Sequence, residues 1–172
     1  MKRTAFLKYL FLLVFSASTT ISFAQEEITT YYFIRHAEKD RSDATNKNPN
    51  LTEKGQARAQ DWATILKDIP FDAVYSTNYN RTQQTATPTA KEHNLDVLEY
   101  DPRTLYNDDF KTATQGKTVL VVGHSNTTPA FVNTVLKERK YPDIDDNNNG
   151  NLYVVTIVGE TITVQLLSLI HI

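Results

Sequence analysis

The sequence predicts a three-layer α/β/α sandwich with a mostly parallel sheet and an antiparallel C-terminal hairpin. Short apolar segments rich in β-branched and aromatic residues alternate with segments of helical periodicity, the pattern of α/β domains. The last two apolar segments, 152–158 and 161–167, flank Gly159-Glu160, which is a hairpin signal. Residues 25–172 contain no Pro/Gly/Ser-rich linker and no internal repeat, so we expect one domain there.

The first part of this domain is predicted to form one strand–helix unit. Residues 28–34 form the first strand, and the polar segment 37–50 is a loop. Thr52 is a plausible N-cap for a helix that runs to about Asp68, ahead of Pro70. Gly55 weakens the first turn of this helix slightly. The residues at helical spacing that should form its buried face are Trp62, Ile65, Leu66 and Ile69.

The second half continues the alternation. A short strand at 71–75 precedes a helix over 81–93, within which Pro88 should kink the helix or start a second segment. A weak strand at 95–100 is followed by irregular polar sequence to 116, with one helical turn around 106–112. The uncharged, β-branched segment 118–122 is the clearest strand of the chain. Pro129 then opens a helix to 137, and a polar loop covers 141–151.

The N-terminus predicts export. Lys2, Arg3 and Lys8 form a basic region, and the apolar segment 9–15 is too short to span a bilayer comfortably. Small residues follow as far as Ala24, so residues 1–24 read as a signal peptide cleaved after Ala24, with an uncleaved anchor as the alternative. We therefore expect a periplasmic or extracellular protein that has no stable membrane anchor once the signal is removed.

Composition excludes several classes of function. The chain has no cysteine, which rules out disulfides, thiolate metal sites and cysteine nucleophiles. The net charge of −2, with no basic run beyond the N-terminus, gives no indication of nucleic-acid binding. Segment 145–150 resembles the start of a calcium loop, but Thr156 stands where the closing glutamate belongs, so we interpret it as a polar turn that could line a pocket mouth.

Charged and imidazole side chains follow three of the predicted strands. Arg35-His36 ends the first strand, Ser76 and Arg81 follow the second, and Gly123-His124 follows segment 118–122. Right-handed crossovers would bring these strand ends to one edge of the sheet. Neutral imidazoles can attack phosphorus and arginines bind phosphate oxygens, so this edge could be a site of phosphoryl transfer.

Four segments resemble the histidine phosphatase superfamily, the phosphoglycerate-mutase-like group, in its small branch-1 form. Segment 34–38 is similar to the Arg-His-Gly signature, with Ala37 in place of glycine, and 51–57 is similar to the family's first helix start. Segment 74–86 matches the Ser…Arg…Gln-Thr-Ala region, and 122–126 matches the second-histidine motif. The four lie in the family's order and span nearly all of residues 25–172.

The resemblance implies roles for particular residues. His36 would be the nucleophile that becomes phosphohistidine, and Arg35, Arg81 and His124 would bind the phosphoryl group. The expected function is an exported, metal-independent phosphomonoester hydrolase that acts on a small phosphorylated substrate and needs no cofactor. No metal is expected, because arginines around the histidines would repel a cation. Mutase activity and the capped, phytase-like branch are disfavoured, since the chain is short and Ser125 follows His124.

The chain departs from the family at the proton donor. The expected glutamate is missing after the third strand, and Asp108 is the provisional proton donor, with Asp109, Glu38 and Asp43 as alternatives. The missing glutamate leaves open a second function, a phosphate- or phosphosugar-binding pseudoenzyme on the same fold. A metallohydrolase using the same histidines is a third. His93 and His171 have no motif around them and are expected to be structural or exposed.

Overall fold

A six-stranded mixed sheet forms the middle layer of the protein. The computed structural model describes residues 27–169, so the predicted signal peptide, residues 1–24, lies outside the described residues. The strand order is β3-β2-β4-β1-β5-β6. The strands are β1 (Ile28–Arg35), β2 (Ala73–Ser76), β3 (Val97–Glu99), β4 (Thr118–Gly123), β5 (Asn151–Val158) and β6 (Thr161–Ser168).

Strands β1 to β4 run parallel to one another, whereas β5 pairs antiparallel with both β1 and β6. β1 pairs with β4, with Arg35 opposite Gly123, and β2 pairs with β4, with Ser76 opposite Val122. This register places the carboxyl ends of the three strands side by side, as their predicted crossovers require. β5 and β6 form the predicted C-terminal hairpin, and Gly159 adopts a φ of 56° at its turn.

Helices cover both faces of the sheet. One face packs Trp62 and Leu66 from the first helix and Ala86 and Ala90 from the second. The other packs Phe110 and Phe131 from the third and fourth. The predicted three-layer architecture is therefore confirmed. The helices are α1 (Glu53–Leu66), α2 (Asn80–Glu92), α3 (Asp108–Thr114) and α4 (Thr127–Leu136).

Three details of the helices differ from the sequence prediction. Ile65 is 41% exposed and does not belong to the buried face of α1, which rests on Trp62 and Leu66. Pro88 lies inside α2 without ending it or dividing it into two assigned helices. The fourth helix begins at Thr127, so Pro129 sits within its first turn rather than at its start, where its missing N–H costs nothing. Within residues 27–169, no helix is long and apolar enough to cross a membrane.

Candidate active site

The carboxyl edge of the parallel strands brings two histidines together. The His36 backbone N–H donates a 2.8 Å hydrogen bond to Gly123 O, which ties the end of β1 to the residue before His124. The two imidazole rings then lie 5.4 Å apart, centre to centre, in an edge-on arrangement. The predicted juxtaposition therefore follows from the β1–β4 register.

The ring of His36 is buried and held in one tautomer. Its Nδ1 lies 2.7 Å from Ala37 O, and because a carbonyl oxygen accepts, Nδ1 carries the proton. Asn149 donates a 2.8 Å hydrogen bond to His36 O and fixes the backbone from the other side. Burial lowers the pKa of His36 to about 3; the hydrogen bond to Ala37 opposes this shift, and the charge of Arg35 reinforces it. His36 is thus neutral at pH 7, with a lone pair on Nε2.

His124 is held by a chain of hydroxyl groups. Its Nε2 lies 3.0 Å from Thr77 Oγ1, which lies 2.9 Å from Thr82 Oγ1. Thr82 Oγ1 donates to backbone carbonyl oxygens, so Thr77 donates to Thr82 and accepts the proton of His124 Nε2. Nδ1 is then the free nitrogen of the neutral ring. Burial lowers the pKa of His124 to about 4, and Arg81, Lys39 and Arg35 reinforce the shift.

Arg35 is almost fully buried, with a side chain 2% exposed. Its Nη1 donates to the carbonyl oxygens of Asp145, Asp146 and Asn148 at 2.8, 3.1 and 3.0 Å. Its Nη2 donates to Asp146 Oδ1 at 2.8 Å. Segment 145–150, predicted to be a polar turn at a pocket mouth, is therefore the segment that holds Arg35 in place. Asp146 and Asn149 line the cavity at His36, as that prediction suggested.

Arg81 enters from the first turn of α2. Its guanidinium carbon lies 4.5 Å from the centre of the Tyr79 ring, a cation–π contact. The same tyrosine ring meets His124 edge-on at 5.0 Å. The Tyr79 ring therefore contacts both the Arg81 guanidinium and the His124 imidazole. The sequence did not reveal this role, although Tyr79 lies within segment 74–86.

Two arginines leave buried N–H groups without partners. Nε of Arg35 and both Nε and Nη1 of Arg81 are buried and make no hydrogen bond within the described part of the chain. A guanidinium N–H without an acceptor costs considerable free energy when buried. Arg35 directly precedes His36, and the Tyr79 ring contacts both Arg81 and His124, so these donors lie beside the histidine pair. Such an arrangement suits a bound oxyanion.

Glu38 does not act as a free acid beside His36. Arg58 holds its carboxylate with both Nε and Nη2, at 2.8–3.0 Å, and Lys54 Nζ lies 3.4 Å away. Burial alone would raise the pKa of Glu38, but the hydrogen bonds from Arg58 outweigh it and the pKa lies below its ordinary value. Gly55 explains how α1 approaches this segment: a Cβ there would collide with Glu38 O. Glu38 is therefore an ionised anchor, a placement that does not support it as a proton donor.

Side chains packed around the end of β4 require a glycine at position 123. A Cβ at this position would lie 2.7 Å from Thr128 Oγ1 and 2.9 Å from Tyr100 Oη. The structure shows that the space is already taken by Tyr100 and Thr128, which pack beneath the strand end.

A family model matches part of this chain. Residues 31–103 match the model described as histidine phosphatase superfamily, branch 1. The match confirms the resemblance to this superfamily over fewer than half of the chain's residues. The match contains Arg35, His36 and Arg81, and the strand register adds His124 to the same edge. A comparison with curated proteins finds no match.

Solved structures with a similar fold confirm the architecture. A phosphoglycerate mutase from Bacillus anthracis shares 16% identity, with a TM-score of 0.63, over 83% of this chain and 94% of that one. A phosphoserine phosphatase from Entamoeba histolytica shares 15%, with a TM-score of 0.62, over 80% and 95%. A proposed phosphohistidine phosphatase, SixA from Agrobacterium tumefaciens, shares 19%, with a TM-score of 0.60, over 81% and 98%. At these identities the likeness concerns the fold.

The predicted proton donor lies away from the histidine pair. Asp108 begins α3, is 97% exposed and pairs with Lys111 at 2.9 Å. Asp109 lines a separate aromatic cavity of about 270 Å³ that also contains Tyr100. Asp43 is exposed, and hydrogen bonds from Thr45 hold its pKa below the ordinary value. None of these placements supports a proton donor, and the role of Asp108 stays a prediction.

Other sequence expectations concern histidines and metals. The His93 ring packs edge-on against Phe71 at 5.2 Å, away from the site, which fits a structural role. His171 lies outside the described residues. Between residues 27 and 169, no three His, Asp or Glu side chains cluster as metal ligands would.

Proposed function

We propose that this protein hydrolyses phosphomonoesters through a phosphohistidine on His36. The observation that carries the proposal is the set of unpartnered, buried guanidinium N–H groups of Arg35 and Arg81 around a neutral His36. A phosphoryl group would supply the missing acceptors, and the same cations would stabilise the charge that builds on its oxygens in the transition state. The phosphatases among the proteins of similar fold, such as those from Agrobacterium tumefaciens and Entamoeba histolytica, are consistent with this reaction class.

The reaction would proceed in two steps. Nε2 of His36 attacks phosphorus, the ester P–O bond breaks, and the leaving alcohol takes a proton from an acid or from water. Water then attacks the phosphohistidine, the N–P bond breaks and inorganic phosphate leaves. Arg35, Arg81 and His124 bind the phosphoryl oxygens in both steps, with His124 Nδ1 available to donate once protonated. Without an assured acid, the enzyme should favour esters with good leaving groups.

The reaction can be tested with p-nitrophenyl phosphate. We expect turnover that resists EDTA, is inhibited by vanadate and is abolished by His36→Ala. His93→Gln is a matched control, because His93 lies against Phe71 outside the site. Loss of activity with EDTA would point to the metallohydrolase instead. Saturable vanadate binding without turnover would favour the phosphate-binding pseudoenzyme.

Export is part of the proposal. Its support is the basic and apolar composition of residues 1–24, with small residues ahead of Gln25. Expression of the full chain should yield a mature protein that begins at Gln25 and fractionates outside the cytoplasm. N-terminal sequencing of the secreted material would test it, and an intact Met1 in the membrane fraction would indicate the uncleaved anchor.

A further inference from the structure

The cavity beside His36 is lined by charged and polar side chains. It has a volume of about 400 Å³, and its walls include Arg35, Lys39, Arg41, Lys54 and Asp146. Apart from the His36 ring, its lining residues are all charged or amide side chains. The lining therefore suits a small polar substrate better than a lipid tail.

Positive charge exceeds negative charge around this cavity. Asp146 is shared by two arginines, Arg35 Nη2 at 2.8 Å and Arg41 Nη2 at 2.7 Å. The carboxylate of Glu38 is likewise shared, between Arg58 and Lys54. Both carboxylates that line the cavity, those of Glu38 and Asp146, are therefore shared by two cations each. The cavity is left with a surplus of positive charge.

Lys39 adds a cation that forms no ion pair within residues 27–169, and its side chain is partly buried. Burial lowers the pKa of Lys39, and the nearby charges of Arg81 and Arg41 lower it further. The charge of Asp146, which Arg35 and Arg41 already share, opposes this shift. An ammonium group among like charges is stabilised by a bound anion.

One phosphoryl group does not balance this charge. A phosphate dianion bound at His36 would satisfy the free N–H groups of Arg35 and Arg81. Lys39 and Arg41 would remain beside the leaving group. Arg41 binds the Asp146 carboxylate through the oxygen that Arg35 does not use. Electrostatic complementarity then calls for a second negative group on the substrate.

We propose that the substrate is a small phosphomonoester with a second anionic group, a carboxylate or a further phosphate, bound by Lys39 and Arg41. This inference rests on the proposed phosphatase function and makes Lys39 and Arg41 determinants of specificity. Neutral sugar phosphates become poor substrates, because they would leave the Lys39 ammonium without a counter-charge.

Matched substrates that differ in one charge test the proposal. Phosphoglycolate against ethyl phosphate tests a carboxylate, and propane-1,3-diol bisphosphate against 3-hydroxypropyl phosphate tests a second phosphate. In at least one pair, kcat/KM should favour the doubly anionic member by about 10-fold at low salt. The preference should shrink as ionic strength rises from about 0.01 M to about 1 M, where the Debye length falls from about 30 Å to about 3 Å.

Variants connect the preference to the named residues. Lys39→Gln should lower the ratio of kcat/KM values about 5-fold or more, and Arg41→Gln should act in the same direction. Lys47→Gln is the control, since Lys47 belongs to the same loop but does not line the cavity. A ratio near one in both pairs, or a ratio that Lys39→Gln and Arg41→Gln leave unchanged, would overturn the inference.

The proposed function and this inference fail in different ways. Hydrolysis of p-nitrophenyl phosphate without a preference in either pair overturns the inference and leaves the phosphatase intact. If no ester is hydrolysed, the phosphatase proposal fails, and calorimetric titration with phosphoglycolate and ethyl phosphate decides the inference. Tighter binding of phosphoglycolate that Lys39→Gln removes would then support the anion site, and equal binding would overturn it.

Discussion

The Nδ1 atom of His36 donates a 2.7 Å hydrogen bond to Ala37 O, the carbonyl of the next residue in the chain. This contact fixes the ring in the tautomer that carries a lone pair on Nε2. Since the pKa of His36 is lowered to about 3, the lone pair is present throughout the physiological range.

The first prediction concerns which nitrogen carries phosphate. A phosphoenzyme trapped by rapid acid-free quenching should be phosphorylated on Nε2 of His36, because Nδ1 is already engaged with Ala37. Phosphorus and proton–nitrogen NMR correlations distinguish the two isomers. Phosphate on Nδ1, or on His124, would contradict the assignment.

The second prediction concerns stability and pH. The folded pKa values of His36 and His124, about 3 and about 4, lie below the ordinary 6.5. Between pH 6.5 and 4 the unfolded chain therefore binds more protons, and the free energy of unfolding falls as the pH falls. His36 alone should account for about 2 kcal/mol between pH 7 and 5.

Chemical denaturation at pH 7 and pH 5 measures this loss. His36→Ala should reduce the difference between the two pH values, and His93→Gln should preserve it. Equal differences in the wild type and in His36→Ala would show that the histidine is not buried in its neutral form.

The third prediction concerns the Glu38–Arg58 pair. The Arg58 side chain is 11% exposed, and it binds Glu38 through two nitrogens. Arg58→Gln should lower the free energy of unfolding by about 2 kcal/mol, because it leaves a partly buried carboxylate without its main partner.

The exposed pair of Asp101 and Arg103 is the matched control. It has the same two-nitrogen geometry, but Arg103 is 87% exposed. Arg103→Gln should lower the free energy of unfolding by much less than Arg58→Gln, because solvent screens this pair. Urea denaturation of both variants measures the contrast, and equal losses would mean that burial does not set the strength of the Glu38–Arg58 pair.

The fourth prediction concerns Asp146. Its carboxylate occupies N–H groups of Arg35 and Arg41 that could otherwise face an anion. Asp146→Asn removes this internal negative charge, so the inhibition constant for inorganic phosphate should fall about 3- to 10-fold. Asp143→Asn removes an equal charge from an exposed position and should leave that constant within about 2-fold. Weaker phosphate binding in Asp146→Asn would instead indicate that the carboxylate positions Arg35.

The fifth prediction concerns Tyr79 as a positioning residue. Its ring lies 4.5 Å from the Arg81 guanidinium carbon and 5.0 Å from the His124 ring centre. Tyr79→Leu should lower kcat/KM about 3- to 30-fold, mainly through KM, whereas Tyr79→Phe keeps the ring and should recover most of the loss. Steady-state kinetics with p-nitrophenyl phosphate measures both. Equal loss in the two variants would assign the effect to the hydroxyl group.

Local sequence patterns predicted most of the secondary structure. Residues 118–122 form β4 because an uncharged, β-branched run suits a central strand, and Thr52 caps α1 by accepting from Gly55 N. The helix at 106–112 was predicted as one turn but extends over Asp108–Thr114, where Asn107 caps it by accepting from Phe110 N. The prediction that Ile65 is buried was wrong, because helical spacing alone does not show how much of the surface of α1 the sheet covers.

The sequence by itself determined the alternation of strands and helices, and it determined which charged residues follow the strand ends. Arg35, His36, Arg81 and His124 were identified in this way, because strand-end positions and motif order are local properties. The tertiary structure decided the ionisation of Glu38 and the anchoring of Arg35. These depend on partners distant in the chain, Arg58 for Glu38 and segment 145–150 for Arg35. No local pattern encodes a contact across 20 or 110 residues, because folding alone brings those atoms within hydrogen-bond distance.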